Sequence, residues 1–138
     1  MTSDLTFIDT SGFYALLAAK DKWHQKAKQL MKAARSKRDK FITTDYVLDE
    51  TATLLVARGI GHLANQLFDI SEKSEALDIC FIERETFNIA RNQFLKNLDQ
   101  GFSFTDCIAF SVMKQRKIKT ALTSDLHFSK AGFRVLLS

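Results

Sequence analysis

The sequence contains no proline, only five glycines and two cysteines among its 138 residues. It therefore lacks the biased composition of collagen-like and disordered chains, and its 46% of hydrophobic residues is typical of a folded globular protein. No apolar run approaches the roughly 20 residues of a membrane-spanning helix, and the start of the sequence lacks the basic residues of a secretory signal peptide. We expect a soluble, cytoplasmic protein that does not contact a membrane.

The two cysteines form neither a redox motif nor part of a zinc site. Cys80 lies in the run LDICFI and Cys107 in DCIAF, and neither belongs to a C-x-x-C pair. Buried free thiols are the favoured interpretation, and a disulfide is the alternative. Zinc binding is not indicated, because the three histidines share no ligand spacing with the cysteines.

The net charge of +4 is distributed unevenly along the chain. Residues 20–40, here called the basic segment, contain nine Lys or Arg and two acids, whereas the remaining residues carry eleven bases and fourteen acids. Such a segment suggests a polyanionic partner, and a solvated helix face is an equal alternative. Lys28, Lys32 and Arg35 recur at helical spacing within it, so we expect their charges to point outward.

Strand and helix patterns alternate from one end of the chain to the other. Apolar strands are predicted at residues 5–8, 41–44, 77–82, 119–123 and 133–137. Helices are predicted at residues 13–19, 23–36, 45–58, 62–72, 84–98 and 105–117. We expect Thr10 or Ser11 to cap the first helix, and the continuous apolar run at residues 77–82 to be buried on both faces. The alternation predicts one α/β domain over residues 1–138, with a parallel sheet between two layers of helices.

Four acidic residues occupy unusual places in this pattern. Asp9 and Asp125 follow the first and fourth predicted strands, and ligands of open α/β sheets bind at the carboxyl ends of strands. Glu50 and Asp106 lie beside apolar residues of predicted helices. Each acid alone has an ordinary explanation, such as a helix cap or an ion pair between Glu50 and Arg58. Together, however, the four would converge at one end of the sheet.

A cluster of four carboxylates needs a cation. Two carboxylates about 5 Å apart repel each other by roughly 3 kcal/mol at an effective dielectric constant of about 20, so four of them do not all stay ionised without neutralisation. Oxygen ligands select hard ions such as Mg²⁺ or Mn²⁺, which can activate water and stabilise a leaving oxygen. Beside a basic segment, this cluster predicts hydrolysis of phosphodiesters.

Four blocks of sequence surround these acids. In order they are FIDTSGFYALL, TTDYVLDETATLL, SFTDCIAFSVMKQRKI and TALTSDLHFSKAGFRVL. Their order and rough spacing resemble PIN-domain nucleases, most closely the VapC-type toxins and their stand-alone relatives. The resemblance implies a three-layer sandwich with a parallel five-stranded sheet, and metal-dependent cleavage of single-stranded RNA. Residues 62–98 match only as a generic helix–strand–helix.

The resemblance also implies the identity of the metal ligands. They are the four acids, with Asp9 and Asp106 as the principal ligands of Mg²⁺ or Mn²⁺, and with Glu50 and Asp125 binding more weakly or through water. Asp49, next to Glu50, is the alternative at that position. Attack by water in line with the leaving oxygen would produce 5′-phosphate and 3′-hydroxyl ends.

Other residues near the four blocks receive supporting roles. Hydroxyls that orient an acid or a water are expected at Thr10, Thr105 and Ser124. RNA-binding charges are expected at Lys28, Lys32 and Arg35, which would guide the strand toward the acids. For His127, in the fourth block, a structural role is favoured.

Two functional classes stay open at this point. The chain is either an active endoribonuclease, as the toxin of a toxin–antitoxin pair or a stand-alone relative, or a catalytically silent module that binds RNA or protein. A dehalogenase-like phosphatase would need an Asp two residues after Asp9, where this chain has Ser11. The expected partners are single-stranded RNA, a cognate antitoxin, whose acidic tail is the alternative occupant of the basic segment, and a second copy of the chain.

Overall fold

Five short apolar segments form a parallel sheet in the computed structural model, which describes residues 5–138. The strands are β1 (Leu5–Ile8), β2 (Lys40–Thr44), β3 (Leu77–Cys80), β4 (Thr120–Leu122) and β5 (Arg134–Val135). The helices are α1 (Thr10–Leu17), α2 (His24–Lys37), α3 (Asp45–Ala57), α4 (Ala64–Lys73), α5 (Arg84–Lys96), α6 (Phe104–Gln115) and α7 (Leu126–Lys130), with 3₁₀ turns at Gly61–Leu63 and Leu98–Gln100. Within the described range, no helix has the length and apolar character needed to cross a membrane.

The strands lie in the order β3-β2-β1-β4-β5, and every neighbouring pair is parallel. Because crossovers between parallel strands are right-handed, α1 to α4 lie on one face of the sheet and α5 to α7 on the other, as their mutual contacts also indicate. The predicted three-layer fold is confirmed. The direction of the winding reverses between β1 and β4, and the carboxyl ends of these two strands therefore flank a crevice.

The start of α1 packs very closely on the end of β4. A Cβ atom on Gly12 would lie 2.1 Å from the carbonyl oxygen of Leu122, which is a severe steric clash. Any residue other than glycine at this position would therefore push the helix away from β4. Phe7, Ile8 and Leu122 are buried beneath this contact. The close approach brings Asp9, which precedes α1, next to the residues that follow β4.

Several helix ends differ from the predicted ones because of local capping. The first helix begins at Thr10, three residues before its predicted start, so Asp9 and not Thr10 or Ser11 occupies the N-cap position. A further helix, α7, was not predicted, because five residues are too short for a helical period. Its N-cap is Asp125, whose carboxylate accepts a hydrogen bond from the His127 N–H at 2.9 Å.

The prediction of a strand at residues 77–82 buried on both faces is wrong. The strand ends at Cys80 and lies at the edge of the sheet, where Asp78 is exposed. Phe81, which follows it, is 70% exposed. Both cysteines are free thiols, as predicted, but only Cys107 is fully buried and Cys80 is half-buried.

Candidate active site

Asp9, Asp106 and Asp125 come together at the crevice between β1 and β4. Asp9 directly follows β1, Asp125 lies three residues beyond β4, and Asp106 reaches the same place from the first turn of α6. Asp9 and Asp106 are buried, with exposed fractions of 3% and 6%. Three polypeptide segments far apart in the sequence therefore place their acids at the point where open α/β sheets bind ligands.

A directed chain of hydrogen bonds holds the carboxylate of Asp9. The Thr123 hydroxyl donates to Asp9 Oδ2 at 3.0 Å and accepts from the backbone N–H of Asp125 at 3.0 Å. The Ser11 hydroxyl accepts from the Ser124 N–H at 2.9 Å. Because the single proton of the Thr123 hydroxyl goes to Asp9, Ser11 is the donor in the 2.9 Å contact between the two hydroxyls. Along this series of hydrogen bonds, the hydroxyl protons of Ser11 and Thr123 are both donated in the direction of Asp9. The series therefore fixes the orientation of the Asp9 carboxylate.

The sequence-based choice of supporting hydroxyls differs from this network. Ser124, one of the three predicted, takes part through its backbone N–H, while the hydroxyls of Ser11 and Thr123 hold Asp9. Thr105 lies beside Asp106 in the first turn of α6. The repeated T-S pairs after β1 and β4 carried the only signal for Ser11 and Thr123, because these residues are separated by 112 positions.

Asp106 also has a local structural role. Its Oδ2 atom accepts from the backbone N–H of Ser103 at 3.2 Å, and the Ser103 hydroxyl accepts from the N–H of Asp106 at 3.0 Å. This reciprocal pair is a capping box that starts α6. Asp106 thus lies at the positive end of the dipole of α6, as its ordinary explanation supposed, and the capping box holds its carboxylate at the crevice.

The protonation of the two buried acids is strongly perturbed. Burial, with the charges of Asp106 and Asp125 as smaller causes, raises the pKa of Asp9 from 3.8 to about 7. Burial and then the charge of Asp125 raise the pKa of Asp106 to about 6. Mutual repulsion, from which the need for a cation was inferred, is therefore the smaller contribution to the raised pKa values, and loss of contact with water is the larger one.

Glu50 approaches the crevice from the face of α3. The Thr10 hydroxyl donates a hydrogen bond to Glu50 Oε1 at 2.5 Å. Glu50 itself is exposed, although Val47 and Leu48 in the preceding turn of the helix are buried. Glu50, Asp9 and Asp125 line the same cavity of about 320 Å³, here called the acidic cavity. Asp49, the alternative to Glu50, is not among the residues that line it.

His127 completes the cluster on the side of Asp106. Its Nδ1 atom lies 3.0 Å from Asp125 Oδ1 and 3.8 Å from Asp106 Oδ2. Its ring contacts Phe102 edge to face, with 5.6 Å between the centroids. The sequence favoured a structural role for this residue, and these contacts show in addition that its ring nitrogen faces the acids.

The residues of the crevice fit a divalent cation. One ligand atom from each of Asp106, Asp125 and His127 lies within 4.8 Å of the others, whereas two ligands of one Mg²⁺ or Mn²⁺ lie roughly 3 to 4 Å apart, since each is about 2.1 Å from the ion. Asp9 and Glu50, the other two predicted ligands, are not part of this group of three among the described residues. Carboxylates suit both ions, and an imidazole favours Mn²⁺ over Mg²⁺.

The basic segment lies elsewhere. The apolar residues Trp23, Ala27, Leu30 and Met31 of this segment pack against the core. The exposed Lys28, Lys32 and Arg35 line a cavity of about 740 Å³, here called the basic groove, which has α2 on one side and α4 on the other. The basic groove and the acidic cavity have no lining residue in common. RNA binding by these three residues stays a prediction.

Comparison with known proteins places the chain in a family. A model described as "PIN domain" matches residues 6–134. The "23S rRNA-specific endonuclease VapC20" of Mycobacterium tuberculosis is 33% identical over 129 residues, which cover 94% of this chain and 95% of that protein. A "VapC ribonuclease" of Archaeoglobus fulgidus is 29% identical over 88% of this chain and 78% of its own length. The crystal structure of M. tuberculosis VapC20, described as a sarcin–ricin loop cleaving toxin, superposes with a TM-score of 0.84 at 31% identity and covers 94% of this chain and 96% of that one.

Proposed function

The chain belongs to the PIN domain family, and on that premise we propose that it is an endoribonuclease that hydrolyses phosphodiester bonds of single-stranded RNA with Mg²⁺ or Mn²⁺. The observation that carries the proposal is the pair of buried carboxylates, Asp9 and Asp106, whose pKa values are raised to about 7 and about 6. Buried acids with perturbed pKa values in a cleft are typical of functional sites. The names of the relatives, an endonuclease and a ribonuclease, support the same reaction.

Each acid has a specific role in this proposal. Asp9 and Asp106 are the principal ligands of the ion, and Asp125 and Glu50 hold it more weakly or through water. When bound, the ion orients the attacking water and stabilises negative charge on the leaving oxygen. The Thr123 hydroxyl keeps Asp9 in its binding orientation. In-line attack then leaves a 5′-phosphate and a 3′-hydroxyl.

We also propose partners for the chain. A cognate antitoxin is expected because the relatives are named VapC and one is described as a toxin, and the cytoplasm is the proposed site of action.

Lys28, Lys32 and Arg35 are proposed to bind RNA, with an acidic antitoxin tail as the alternative ligand. The exposed apolar residues Phe81 and Leu98 support a homodimer, which light scattering during size-exclusion chromatography would detect.

Cleavage of labelled RNA tests the proposed reaction. The substrates are an unstructured oligonucleotide and 23S rRNA, each incubated with Mg²⁺, Mn²⁺ or EDTA. We expect cleavage only with a divalent ion, and a loss of at least roughly 100-fold in Asp9→Asn and Asp106→Asn, because even groups that only support a metal ligand cost 10–100-fold when removed.

Asp49→Asn is the matched control, because it makes the same chemical change at an exposed acid outside the acidic cavity. Circular dichroism and thermal melting of each variant separate loss of chemistry from loss of fold. Undiminished cleavage in both Asp9→Asn and Asp106→Asn would overturn the assignment. RNA binding without cleavage by the parent chain under every metal condition would instead favour the catalytically silent module.

A further inference from the structure

The acidic cavity has a charge problem that its proposed reaction must solve. Four carboxylates line it, those of Asp9, Asp21, Glu50 and Asp125. A divalent ion neutralises part of this charge near Asp9, but the rest of the opening still repels an RNA strand. Among the described residues that line the cavity, Arg58 is the one that carries a positive charge. Arg58 is therefore the protein cation that a phosphate of an RNA strand entering this cavity could contact.

The position of Arg58 follows from the helical repeat of α3. Glu50 and Leu54 of α3 and Arg58, its C-cap, are spaced four residues apart, so they lie on one face of the helix. All three line the acidic cavity. Eight residues correspond to about 12 Å along the helix axis. Glu50 therefore lies at the end near Asp9 and Arg58 at the far end. The backbone of Arg58 is thus set apart from the acids, so its side chain enters the cavity from the end opposite Glu50, which suits a neighbouring phosphate of the same strand.

The guanidinium group of Arg58 is held in place without being neutralised. Its Cζ atom lies 5.5 Å from the ring centroid of Tyr14, within the range of a cation–π interaction. Tyr14 belongs to α1, one turn after Thr10, and is half-buried. The ion pair that the sequence allowed between Arg58 and Glu50 is not formed, and within residues 5–138 Arg58 pairs with no other carboxylate. Its N–H donors consequently remain available to a ligand.

We propose that Arg58, oriented by Tyr14, forms a subsite that binds a phosphate of the RNA strand next to the phosphate that is cleaved. The proposal rests on the proposed function, since it needs a single-stranded polyphosphate in the acidic cavity. A planar guanidinium held over an aromatic ring can offer two parallel N–H donors to phosphate oxygens. Arg58 is thus a binding residue, and Tyr14 a positioning residue that acts through it.

Binding is measured by fluorescence anisotropy of a labelled RNA oligonucleotide in the Asp106→Asn background with Mg²⁺, where the strand is expected to stay intact. We expect Arg58→Ala to weaken binding roughly 10-fold, or about 1.4 kcal/mol, because it removes hydrogen bonds between charged groups. Arg58→Lys should recover part of the affinity, since it keeps the charge but not the planar pair of donors. Tyr14→Leu should lower the affinity several-fold, and Tyr14→Phe, which keeps the ring, should bind as the parent does.

Two further measurements separate a subsite from a general effect of charge. Arg91→Ala removes one exposed positive charge from α5 and is the matched control. In a series of oligonucleotides with one uncharged methylphosphonate each, a single position should weaken binding to the Asp106→Asn protein but not to its Arg58→Ala derivative. In the active chain, Arg58→Ala should raise KM roughly 10-fold and leave kcat within about twofold, as expected for binding that is equal in the ground and transition states.

The possible outcomes distinguish this subsite from the proposed function. If Arg58→Ala binds RNA as tightly as Arg91→Ala does, or if no methylphosphonate position depends on Arg58, the subsite is overturned. Cleavage by the parent chain in the same experiment would leave the proposed function intact. If the parent neither binds nor cleaves RNA, both proposals are overturned.

Discussion

The acidic cavity and the basic groove show how differently a fold can treat charge. In the acidic cavity, the carboxylate of Asp9 is withdrawn from water, and burial raises its pKa to about 7. In the basic groove, the charges of Lys28, Lys32 and Arg35 stay exposed above apolar residues such as Phe13 and Phe41. In the first region, the ionised carboxylates destabilise the metal-free fold, and a bound cation would remove part of this destabilisation. The second offers long-range attraction that salt can screen.

The comparison also shows that a run of charge in the sequence does not reveal its target. The basic segment contributes most of the local positive charge, yet none of its Lys or Arg residues lines the acidic cavity, to which it contributes only the acid Asp21. The cation that does line this cavity, Arg58, is the residue that ends α3 as its C-cap, outside the basic segment. Distance along the chain and distance in space disagree because α2 runs away from the crevice to reach the start of β2.

The largest effect on stability should come from the pH dependence of the metal-free protein. The pKa of Asp9 is about 7 in the folded chain and 3.8 in the unfolded chain. The folded state therefore binds more protons between these values, and its stability falls as the pH rises from about 4 to about 7. A shift of about three units corresponds to on the order of 4 kcal/mol. Calorimetry in EDTA should show this decline, together with the smaller contribution of Asp106.

Asp9→Asn removes the titrating group while keeping a similar shape, so the melting temperature of this variant should depend less on pH than that of the parent. Lys32→Ala, in the basic groove, should show the parent slope. Parallel pH profiles for the parent and Asp9→Asn would mean that Asp9 is not destabilised by its burial, and the contrast between the two regions would be lost.

A somewhat smaller effect should follow from adding metal. Mg²⁺ or Mn²⁺ at about 100 times its dissociation constant should stabilise the parent by roughly 2.7 kcal/mol, because the unfolded chain does not bring the ligands together. Asp125→Asn should raise the melting temperature of the metal-free protein and reduce the shift caused by metal, since asparagine still caps α7. Differential scanning fluorimetry at pH 7.5 measures both quantities.

The variant with Lys28, Lys32 and Arg35 all replaced by Ala is the control for this experiment, because none of these residues is near the acids. It should respond to metal as the parent does. If adding metal leaves the melting temperature unchanged in the parent and in all four single acid variants, the carboxylates do not bind a common ion.

The smallest expected effect concerns RNA and the basic groove. If Lys28, Lys32 and Arg35 contact the strand, replacing all three by Ala should weaken binding for every sequence. The slope of log affinity against log salt should also become less steep, by roughly 0.7 for each lost phosphate contact on single-stranded RNA. Anisotropy titrations between 50 and 300 mM salt measure both. An unchanged affinity and slope would leave the acidic antitoxin tail, or solubility alone, as the role of this surface.

Local sequence patterns predicted much of the fold and part of the candidate site. The alternation of apolar strands and amphipathic helices was enough for the parallel sheet, because a parallel sheet needs a helix between successive strands. Asp9 and Asp125 could be placed at the same sheet edge, because they follow parallel strands. The edge position of β3 could not be predicted from LDICFI, since the same apolar run suits a central strand and an edge strand that continues into an exposed patch.

The finer arrangement of the site depends on contacts between distant segments. The hydroxyl of Ser11 reaches Thr123 only because Gly12 allows α1 to pack against the carbonyl of Leu122. His127 faces Asp106 only because the short helix α7 begins at Asp125. Neither the hydrophobic periodicity nor a motif within one segment predicts such contacts between side chains of distant segments.

The sequence by itself determined which residues are available and in which elements they lie: apolar periodicity specifies strands and helices, and an acid after a strand lies at its carboxyl end. Only the tertiary structure decided how much water each charge keeps and which charges face one another. Burial of Asp9, the orientation of Arg58 on Tyr14 and the separation of the basic groove from the acidic cavity depend on how the helices pack over the sheet. The free energy of a charge is set by the solvent and the other charges around it, and both are known only once the chain has folded.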